Sequence, residues 1–110
     1  MPPVKYTPEA QADIQSAYRF LTPKDREAAT AAIKAIRVQL RILGRHPEAG
    51  RPAEGYGLEF REWVIDFGES GYVALYRFDT QKVVILAVRH QKELGYFTGE
   101  QAQSGEPVGG

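Results

Sequence analysis

The sequence predicts an α+β fold in which an N-terminal helical hairpin packs on an antiparallel β-meander sheet. Apolar residues recur at three- and four-residue steps up to residue 44, and three β-rich runs with short connections follow. The chain has 110 residues, of which 43% are hydrophobic, and no cysteine. This composition suits one soluble domain with a modest core, and it excludes disulfides and thiolate metal sites. We expect neither a metal nor a cofactor.

A short strand and a helix open the chain. Residues 4–6 are β-tolerant, and Thr7-Pro8-Glu9 then has the pattern of a helix start: a threonine N-cap, a proline in the first turn and an early acid. The apolar stripe of this helix runs from Ala10 to Leu21. A second helix start, Thr22-Pro23-Lys24-Asp25, follows almost without a loop, which predicts an antiparallel pair of helices.

The second helix has the clearest pattern. Its buried stripe runs from Ala29 to Leu43, and Gly44 stands where a left-handed C-terminal cap is expected. Another side carries cations at the same spacing, with no acid between residues 28 and 47. Two interpretations remain open: a solvated helix surface, or a positive surface for a phosphate backbone or an acidic protein. These cations, here called the basic ridge, are Lys34, Arg37, Arg41 and Arg45.

The net charge of the chain is zero, but the charged residues are unevenly distributed along it. Fourteen Lys and Arg residues balance fourteen Asp and Glu residues. Residues 1–44 hold seven basic and four acidic side chains, a net charge of +3, whereas residues 45–110 hold seven and ten, a net charge of −3. The chain is therefore not a polycation built to bind nucleic acid, and any anion-binding surface must be local.

Three β-rich runs make the predicted meander: residues 58–66, 72–78 and 83–88. Their connections are short enough to permit only antiparallel neighbours. The last run is apolar on both faces, which predicts a central strand that is covered on both sides.

Side-chain alternation along a strand predicts which residues share a face of the sheet. We expect Trp63 to share a face with Ile65, and Ile85 to share a face with Ala87. The same rule places His90 with Val84, Leu86 and Val88, and it places Arg89 on the opposite face.

Residues 89–96 form a polar cluster at the end of the last predicted strand, and Arg61 of the first meander strand and Arg77 of the second join it as candidates for acid–base chemistry. Arg61, Arg77, His90 and Tyr96 together supply two fixed cations, an imidazole and a phenol. RNA cleavage through attack by a 2′-hydroxyl needs a base, an acid and stabilisation of the charged transition state. The same residue types are also typical of a packed histidine and of arginines that brace a sheet, so both interpretations stand at this point.

The ordered series of segments resembles the RelE/ParE superfamily of toxins. The resemblance covers residues 4–97: the helical hairpin is followed by Leu43-Gly44-Arg45-His46-Pro47-Glu48-Ala49-Gly50-Arg51-Pro52, Leu58-Glu59-Phe60-Arg61-Glu62, Tyr72-Val73-Ala74-Leu75-Tyr76-Arg77 and Val88-Arg89-His90-Gln91-Lys92-Glu93. It implies one microbial-RNase-like domain over residues 1–97, and it implies a type II toxin that a cognate antitoxin silences within a hetero-oligomer. Residues 98–110 are rich in Gly, Gln and Glu, and we expect them to form a flexible tail.

The resemblance implies two possible targets. RelE-like members cleave mRNA on the ribosome, and ParE-like members poison DNA gyrase. Arg61 matches the arginine of the family's Leu-x-x-Arg segment and Tyr96 matches its last tyrosine, but His90 stands where the best-known RNA cleavers have arginine. This departure does not exclude catalysis. The loop-and-strand pattern of residues 47–61, the Arg-His-Gln-Lys segment and the neutral charge favour the ParE-like side. The alternatives are an mRNA interferase that uses Arg61, Arg77, His90 and Tyr96, and a binding module without activity.

Seven cations are the candidates for target binding under the favoured interpretation. The longest apolar run is far too short for a membrane helix, and no signal peptide opens the chain, so we expect a cytoplasmic protein without a membrane partner. The seven candidates are Lys34, Arg37, Arg41, Arg45, Arg51, Arg89 and Lys92.

Overall fold

The computed structural model describes residues 3–68 and 70–92. Tyr96 and the predicted tail of residues 98–110 lie outside the described residues. The elements are, in order, β1 (Val4–Tyr6), α1 (Pro8–Leu21), α2 (Arg26–Arg45), β2 (Arg51–Pro52), β3 (Phe60–Phe67), β4 (Ser70–Phe78) and β5 (Val83–His90). Neither helix in these two ranges combines the length and the apolar character that crossing a membrane demands.

The two helices begin at capping side chains. The Thr7 hydroxyl accepts a hydrogen bond from the Ala10 N–H at 3.1 Å, as the sequence predicts. The second start differs in detail, because Asp25 caps α2 by accepting from the Ala28 N–H at 3.1 Å. Thr22 instead ends α1 and donates its hydroxyl to the Tyr18 carbonyl at 2.6 Å. Repetition of the Thr-Pro pair therefore marks the connection, but the aspartate forms the cap.

The end of α2 corrects the prediction for Gly44. The helix continues to Arg45, and its C-cap is His46, whose N–H donates to the Ile42 carbonyl at 3.0 Å. Gly44 is buried within the last helical turn. The helix stops where Pro47 follows, because a proline disfavours helical backbone in the residue before it.

The sheet contains the predicted meander but is mixed rather than antiparallel. Its strand order is β1-β5-β4-β3-β2, in which β3, β4 and β5 pair antiparallel and β1 pairs parallel with β5. The central strand is therefore β4, and the prediction that residues 83–88 form it is wrong. The short connections between β3, β4 and β5 specify the order of these three strands. They do not specify that β1, from the other end of the chain, pairs with β5 at the edge of the meander.

The helices cover one face of the sheet, here called the helix face. The main core lies there and includes Ile14, Ile36, Tyr76 and, on β5, Val83 and Ile85. A smaller cluster of Ala53, Leu75 and Ala87 lies on the opposite face, here called the open face.

Strand alternation succeeds on β3 and fails on β5. Trp63 and Ile65 both pack on the helix face, which confirms the first prediction. On β5, Tyr76 pairs with Ile85 and Leu75 pairs with Ala87, so Leu86 is an extra residue in a β-bulge. Ile85 therefore faces the helices while Ala87 faces away, and the prediction that these two residues share a face is wrong.

Candidate functional site

His90 ends β5 on the helix face, beside Tyr72 of β4. The two rings meet edge to face with their centroids 5.5 Å apart. The backbone N–H of Lys92 donates to His90 Nδ1 at 3.2 Å. Because Nδ1 accepts this hydrogen bond, the neutral imidazole carries its proton on Nε2. The half-buried ring is thus held in one orientation, with Nε2 as the nitrogen that can donate.

The bulge in β5 decides the face on which His90 lies, and α1 holds that bulge. The Thr7 hydroxyl donates to the Leu86 carbonyl at 3.1 Å, and Asp13 Oδ2 accepts from the Val88 N–H at 2.9 Å. After the extra residue, Val88 and His90 face the helices, whereas Leu86 packs on the open face. The prediction that His90 shares a face with Val88 is confirmed. The prediction that it shares one with Val84 and Leu86 is wrong, because Val84 pairs with Arg77 on the open face. Bulges commonly re-aim side chains in this way.

A second cluster lies at the other end of β4 and ties the loop after α2 to the sheet. The hydroxyl of the fully buried Tyr76 donates to the Pro47 carbonyl at 2.7 Å and accepts from the Gly50 N–H at 2.9 Å. Arg61 Nη1 donates to the Gly50 carbonyl at 2.8 Å. A Cβ atom at Gly50 would lie 2.5 Å from the Glu62 carbonyl oxygen and 2.6 Å from the Tyr76 hydroxyl, so glycine is required there. We call Pro47, Gly50, Arg61 and Tyr76 the loop anchor.

The electrostatics of the loop anchor indicate a structural role. Burial raises the pKa of Tyr76, although the Gly50 hydrogen bond and the Arg61 charge lower it in part, so the hydroxyl stays protonated. The Arg61 guanidinium carbon also lies 5.7 Å from the centroid of the Phe78 ring. Within the described residues, Arg61 Nε and Trp63 Nε1 are buried donors without a hydrogen-bond partner. Arg61 is thus packed into the sheet, where it braces the loop.

The predicted catalytic residues do not converge among the described residues. Arg61 pairs with Tyr76 of β4, and His90 pairs with Tyr72 of the same strand. Tyr72 and Tyr76 are four positions apart, a distance of about 13 Å along the strand. Arg77 neighbours Tyr76 on β4 and therefore points to the open face. Tyr96 lies outside the described residues. No three His, Asp or Glu side chains within residues 3–68 and 70–92 form a group that could hold a metal ion.

The basic ridge lies along the exposed side of α2, and all four of its side chains are exposed. Arg37 makes the most contacts: its Nη2 donates to Gln11 Oε1 on α1 at 3.3 Å, and its guanidinium carbon lies 5.4 Å from the centroid of the Tyr6 ring. Burial raises the pKa of Tyr6, while Arg37 and Arg41 partly lower it. The cations of the ridge are therefore presented to solvent on one helix.

An open groove of about 400 Å³ runs between α1 and α2 beside Arg37. Ile14 and Ile33 contribute apolar side chains to it, and Tyr18, which is 37% exposed, lines it as well. Arg19 and Arg37 add two positive charges to its lining.

The remaining target-binding candidates lie on other surfaces. Arg51 on β2 forms an ion pair with Glu62 at 2.9 Å and is more than half exposed. Arg89 Nη1 donates to the carbonyls of His90 and Gln91, at 3.2 Å and 3.4 Å. Lys92 is exposed just beyond β5. The seven candidates thus form one compact group, the ridge, and three separate positions.

Sequence reasoning missed two residues that organise these clusters. Tyr76 has the pattern of a core aromatic residue, and its hydroxyl partners Pro47 and Gly50 are remote in sequence. Asp13 offers a signal, because it lies within the buried stripe of α1, three residues after Ala10 and four before Ala17. An acid at such a position indicates a specific hydrogen-bond partner, here the Val88 N–H.

Comparison with known proteins agrees with the fold. Residues 4–95 match the model of the family described as the ParE toxin of type II toxin–antitoxin systems, parDE. The curated protein Toxin RelE3 of Caulobacter vibrioides is 33% identical over 93 residues, which cover 84% of this chain and 98% of that protein.

Solved structures of toxin–antitoxin systems share the architecture. The chromosomal ParDE system from P. aeruginosa superposes with a TM-score of 0.70 at 25% identity, covering 82% of this chain and 96% of that chain. The RelBE2 toxin–antitoxin complex from Mycobacterium tuberculosis superposes with a TM-score of 0.57 at 24% identity, covering 83% of this chain and 100% of that chain. These matches confirm both the α+β fold and the RelE/ParE resemblance. The chain therefore belongs to the ParE toxin family, within the RelE/ParE superfamily, and is the toxin of a type II toxin–antitoxin system.

Proposed function

We propose that this toxin is ParE-like: it arrests growth in the cytoplasm by contacting DNA gyrase through a protein-binding surface. A cognate antitoxin neutralises it by forming a toxin–antitoxin complex. The domain that carries this activity is residues 1–97.

The separation of the nuclease candidates carries the proposal. A general acid, a general base and a charge-stabilising cation must reach the same phosphate, each within about 3 Å of its partner atom. Arg61 instead donates to the Gly50 carbonyl, and about 13 Å of β4 separates its pairing position from that of His90. Arg77 lies on the opposite face. This arrangement supports binding rather than RNA cleavage.

The charge distribution supports the same mechanism. Binding to ribosomal RNA draws on many phosphate contacts, and a chain of zero net charge lacks the long-range attraction that such contacts supply. The basic ridge is a compact positive surface of four exposed cations. A charged surface of this kind orients a protein partner of opposite charge and increases its rate of association.

Two observations favour the second candidate, a RelE-like mRNA interferase. The ring of His90 is half-buried at the end of β5, and its Nε2 can donate. A side chain of this type can serve in general acid–base catalysis. The relative at 33% identity also carries the name RelE3.

Two conservative substitutions separate the candidates. His90→Gln and Tyr96→Phe should leave growth arrest nearly intact, because a binding surface does not use their acid–base chemistry. The purified toxin should then accumulate gyrase–DNA cleavage complexes in a supercoiling assay and leave ribosome-bound mRNA uncut.

The nuclease predicts the opposite results. Loss of a general acid or base should lower the cleavage rate by roughly 10² to 10⁴. Growth arrest abolished by either substitution in a normally folded protein, with mRNA cut on the ribosome, contradicts the ParE-like proposal. A Lys34→Glu, Arg41→Glu variant is the matched control, since it should weaken target binding while His90 stays intact.

A further inference from the structure

The loop between β2 and β3 presents two large apolar side chains to solvent. Leu58 is 97% exposed and Tyr56 is 43% exposed. Side chains of this size stabilise a protein or a complex when they are buried, so their exposure forgoes that stabilisation within the single chain. Exposed apolar side chains that lie close together are typical of a surface that contacts a partner. We call residues 54–59 the loop tip.

Backbone hydrogen bonds hold the loop tip in one shape. The Tyr56 N–H donates to the Ala53 carbonyl at 3.2 Å, and the Phe60 N–H donates to the Gly57 carbonyl at 3.2 Å. At the base of the loop, the Ala53 N–H donates to the Phe60 carbonyl at 3.2 Å. Gly57 has a φ of 115°, which a residue with a Cβ atom rarely adopts, and it directly precedes Leu58. The loop tip is therefore preorganised, and binding a partner costs it little conformational entropy.

The loop tip is acidic as well as apolar. Glu54 and Glu59 lie on either side of its apolar residues, and both are exposed. Residues 52–60 contain no Lys or Arg. A surface that binds the loop tip should therefore offer an apolar interior bordered by positive charges.

The groove between α1 and α2 has this chemistry. Ile14, Ile33 and Tyr18 give it an apolar and aromatic interior, and Arg19 and Arg37 add two positive charges. Among the described residues, no carboxylate lines it. Its volume of about 400 Å³ is enough for one leucine side chain and part of a tyrosine. The groove and the loop tip are thus complementary in both polarity and charge.

The loop tip does not reach the groove of its own chain. Ala53 and Phe60, at the two ends of the tip, pack on the open face of the sheet. The groove lies between the two helices, which cover the opposite face. Because the sheet separates them, a loop tip can fill a groove only in another molecule.

We infer that the loop tip binds in the α1–α2 groove of a second copy of this chain, with Leu58 in the apolar interior. Glu54 and Glu59 then face the arginines of the groove. The contact is heterologous, since a tip meets a groove, and each added copy leaves one tip or one groove unoccupied. The assembly therefore extends head to tail beyond a dimer. A single loop buries less area than a permanent dimer interface, so the association is reversible and depends on toxin concentration.

Self-association competes with target binding, and this step alone rests on the proposed function. Arg37 lines the groove and also belongs to the basic ridge. A bound loop tip covers Arg37 and withholds it from the target. In the gyrase supercoiling assay, the activity per toxin molecule should fall as the concentration of wild-type toxin rises, and it should fall less for Leu58→Ser.

Sedimentation velocity of the full chain, purified without antitoxin, tests the contact directly over an approximately hundredfold range of concentration. We expect wild type to pass from monomer to species larger than a dimer, with an average mass that decreases as salt rises. Leu58→Ser should weaken self-association by about tenfold or more, because the groove no longer buries a leucine. Val38→Ser is the matched control: Val38 is 45% exposed but lies outside the loop tip and the groove, so this variant should associate as wild type does.

A mixture of two defective variants tests the head-to-tail geometry. Leu58→Ser keeps an intact groove, and Tyr18→Ala together with Arg19→Glu keeps an intact loop tip. Each variant alone should be monomeric at concentrations where wild type associates. Their equimolar mixture should form a dimer and nothing larger, because each pair can make one contact. All three substituted side chains are exposed, so a thermal melt by circular dichroism should show unchanged folding.

Four results overturn the inference: a wild-type toxin that stays monomeric, one that stops at a dimer, self-association that Leu58→Ser leaves unchanged, or a mixture that associates no more than its two components. An equal loss of self-association in Val38→Ser also contradicts it, because the contact would then lie elsewhere on the surface. Failure of wild-type toxin to act on gyrase contradicts the proposed target instead, and it leaves the sedimentation result readable.

Discussion

The loop anchor and the basic ridge hold arginines of the same charge that the fold uses in opposite ways. Arg61 is half-buried, donates to a backbone carbonyl and packs near an aromatic ring. Arg41 is exposed, and within the described residues it makes no hydrogen bond or ion pair. A guanidinium engaged in internal hydrogen bonds stabilises the chain, whereas one left in solvent is available to a partner.

The contrast explains why a set of residue types is weak evidence for a nuclease. Arg61, Arg77 and His90 satisfy the chemical requirements of RNA cleavage by residue type. In the structure, Arg61 braces a loop, and Arg77 and His90 lie on different faces of the sheet. We therefore expect substitutions in the anchor to lower stability and substitutions in the ridge to weaken target binding.

Gly50→Ala should cause the largest loss of stability, because the new Cβ would lie 2.5 Å from the Glu62 carbonyl oxygen and 2.6 Å from the Tyr76 hydroxyl. We expect the free energy of unfolding to fall by about 3 kcal/mol or more, since a packed sheet cannot yield to the added carbon. Urea denaturation followed by circular dichroism measures it.

Gly55→Ala is the matched control for that experiment. Gly55 has a φ of 87° but nothing within 4 Å of its Cβ position, so its substitution carries backbone strain without a clash. We expect it to cost about 1–2 kcal/mol. Equal stability losses in the two variants would show that the loop anchor is not packed as described.

Arg61→Met and Arg41→Met compare the two regions directly. Each substitution removes the charge and keeps an unbranched stem. Arg61→Met should lower stability by about 1–3 kcal/mol, because it leaves the Gly50 carbonyl without its donor. Arg41→Met should change stability by less than about 0.5 kcal/mol and should still weaken growth arrest. A larger loss of stability in Arg41→Met than in Arg61→Met, measured by urea denaturation, would contradict the assignment of a structural role to the loop anchor and a binding role to the basic ridge.

The smallest effect concerns alkaline pH. Burial raises the pKa of Tyr76 above its ordinary value of 10.0. The unfolded chain therefore loses this proton first, so the stabilisation is fully present below about pH 10 and is lost as the pH rises through the folded-state pKa. Tyr76→Phe should reduce the fall in stability between neutral and strongly alkaline pH.

Tyr6→Phe is the comparison variant for the alkaline titration. Burial also raises the pKa of Tyr6, so Tyr6→Phe should remove its own share of the alkaline effect and leave that of Tyr76. An alkaline profile of Tyr76→Phe identical to that of wild type would argue against the buried, protonated hydroxyl.

Local patterns in the sequence are enough to specify the elements and their order. Pro8 and Asp25 mark the two helix starts, the apolar stripe of α2 identifies its buried side, and short turns specify an antiparallel meander. These features depend on residues within a few positions of one another, where backbone periodicity and capping hydrogen bonds act. The ordered segments were also sufficient to predict the toxin superfamily.

The remaining features arise only when distant parts of the chain meet. Folding adds β1 in parallel to β5, makes β4 the central strand and places the bulge at Leu86 that turns His90 toward the helices. It also joins the Tyr76 hydroxyl to a loop 26 residues away at Gly50 and joins Asp13 to an amide 75 residues away at Val88. Such contacts form because buried polar groups need hydrogen-bond partners once water is excluded. The partners are remote in sequence, so no local pattern identifies them.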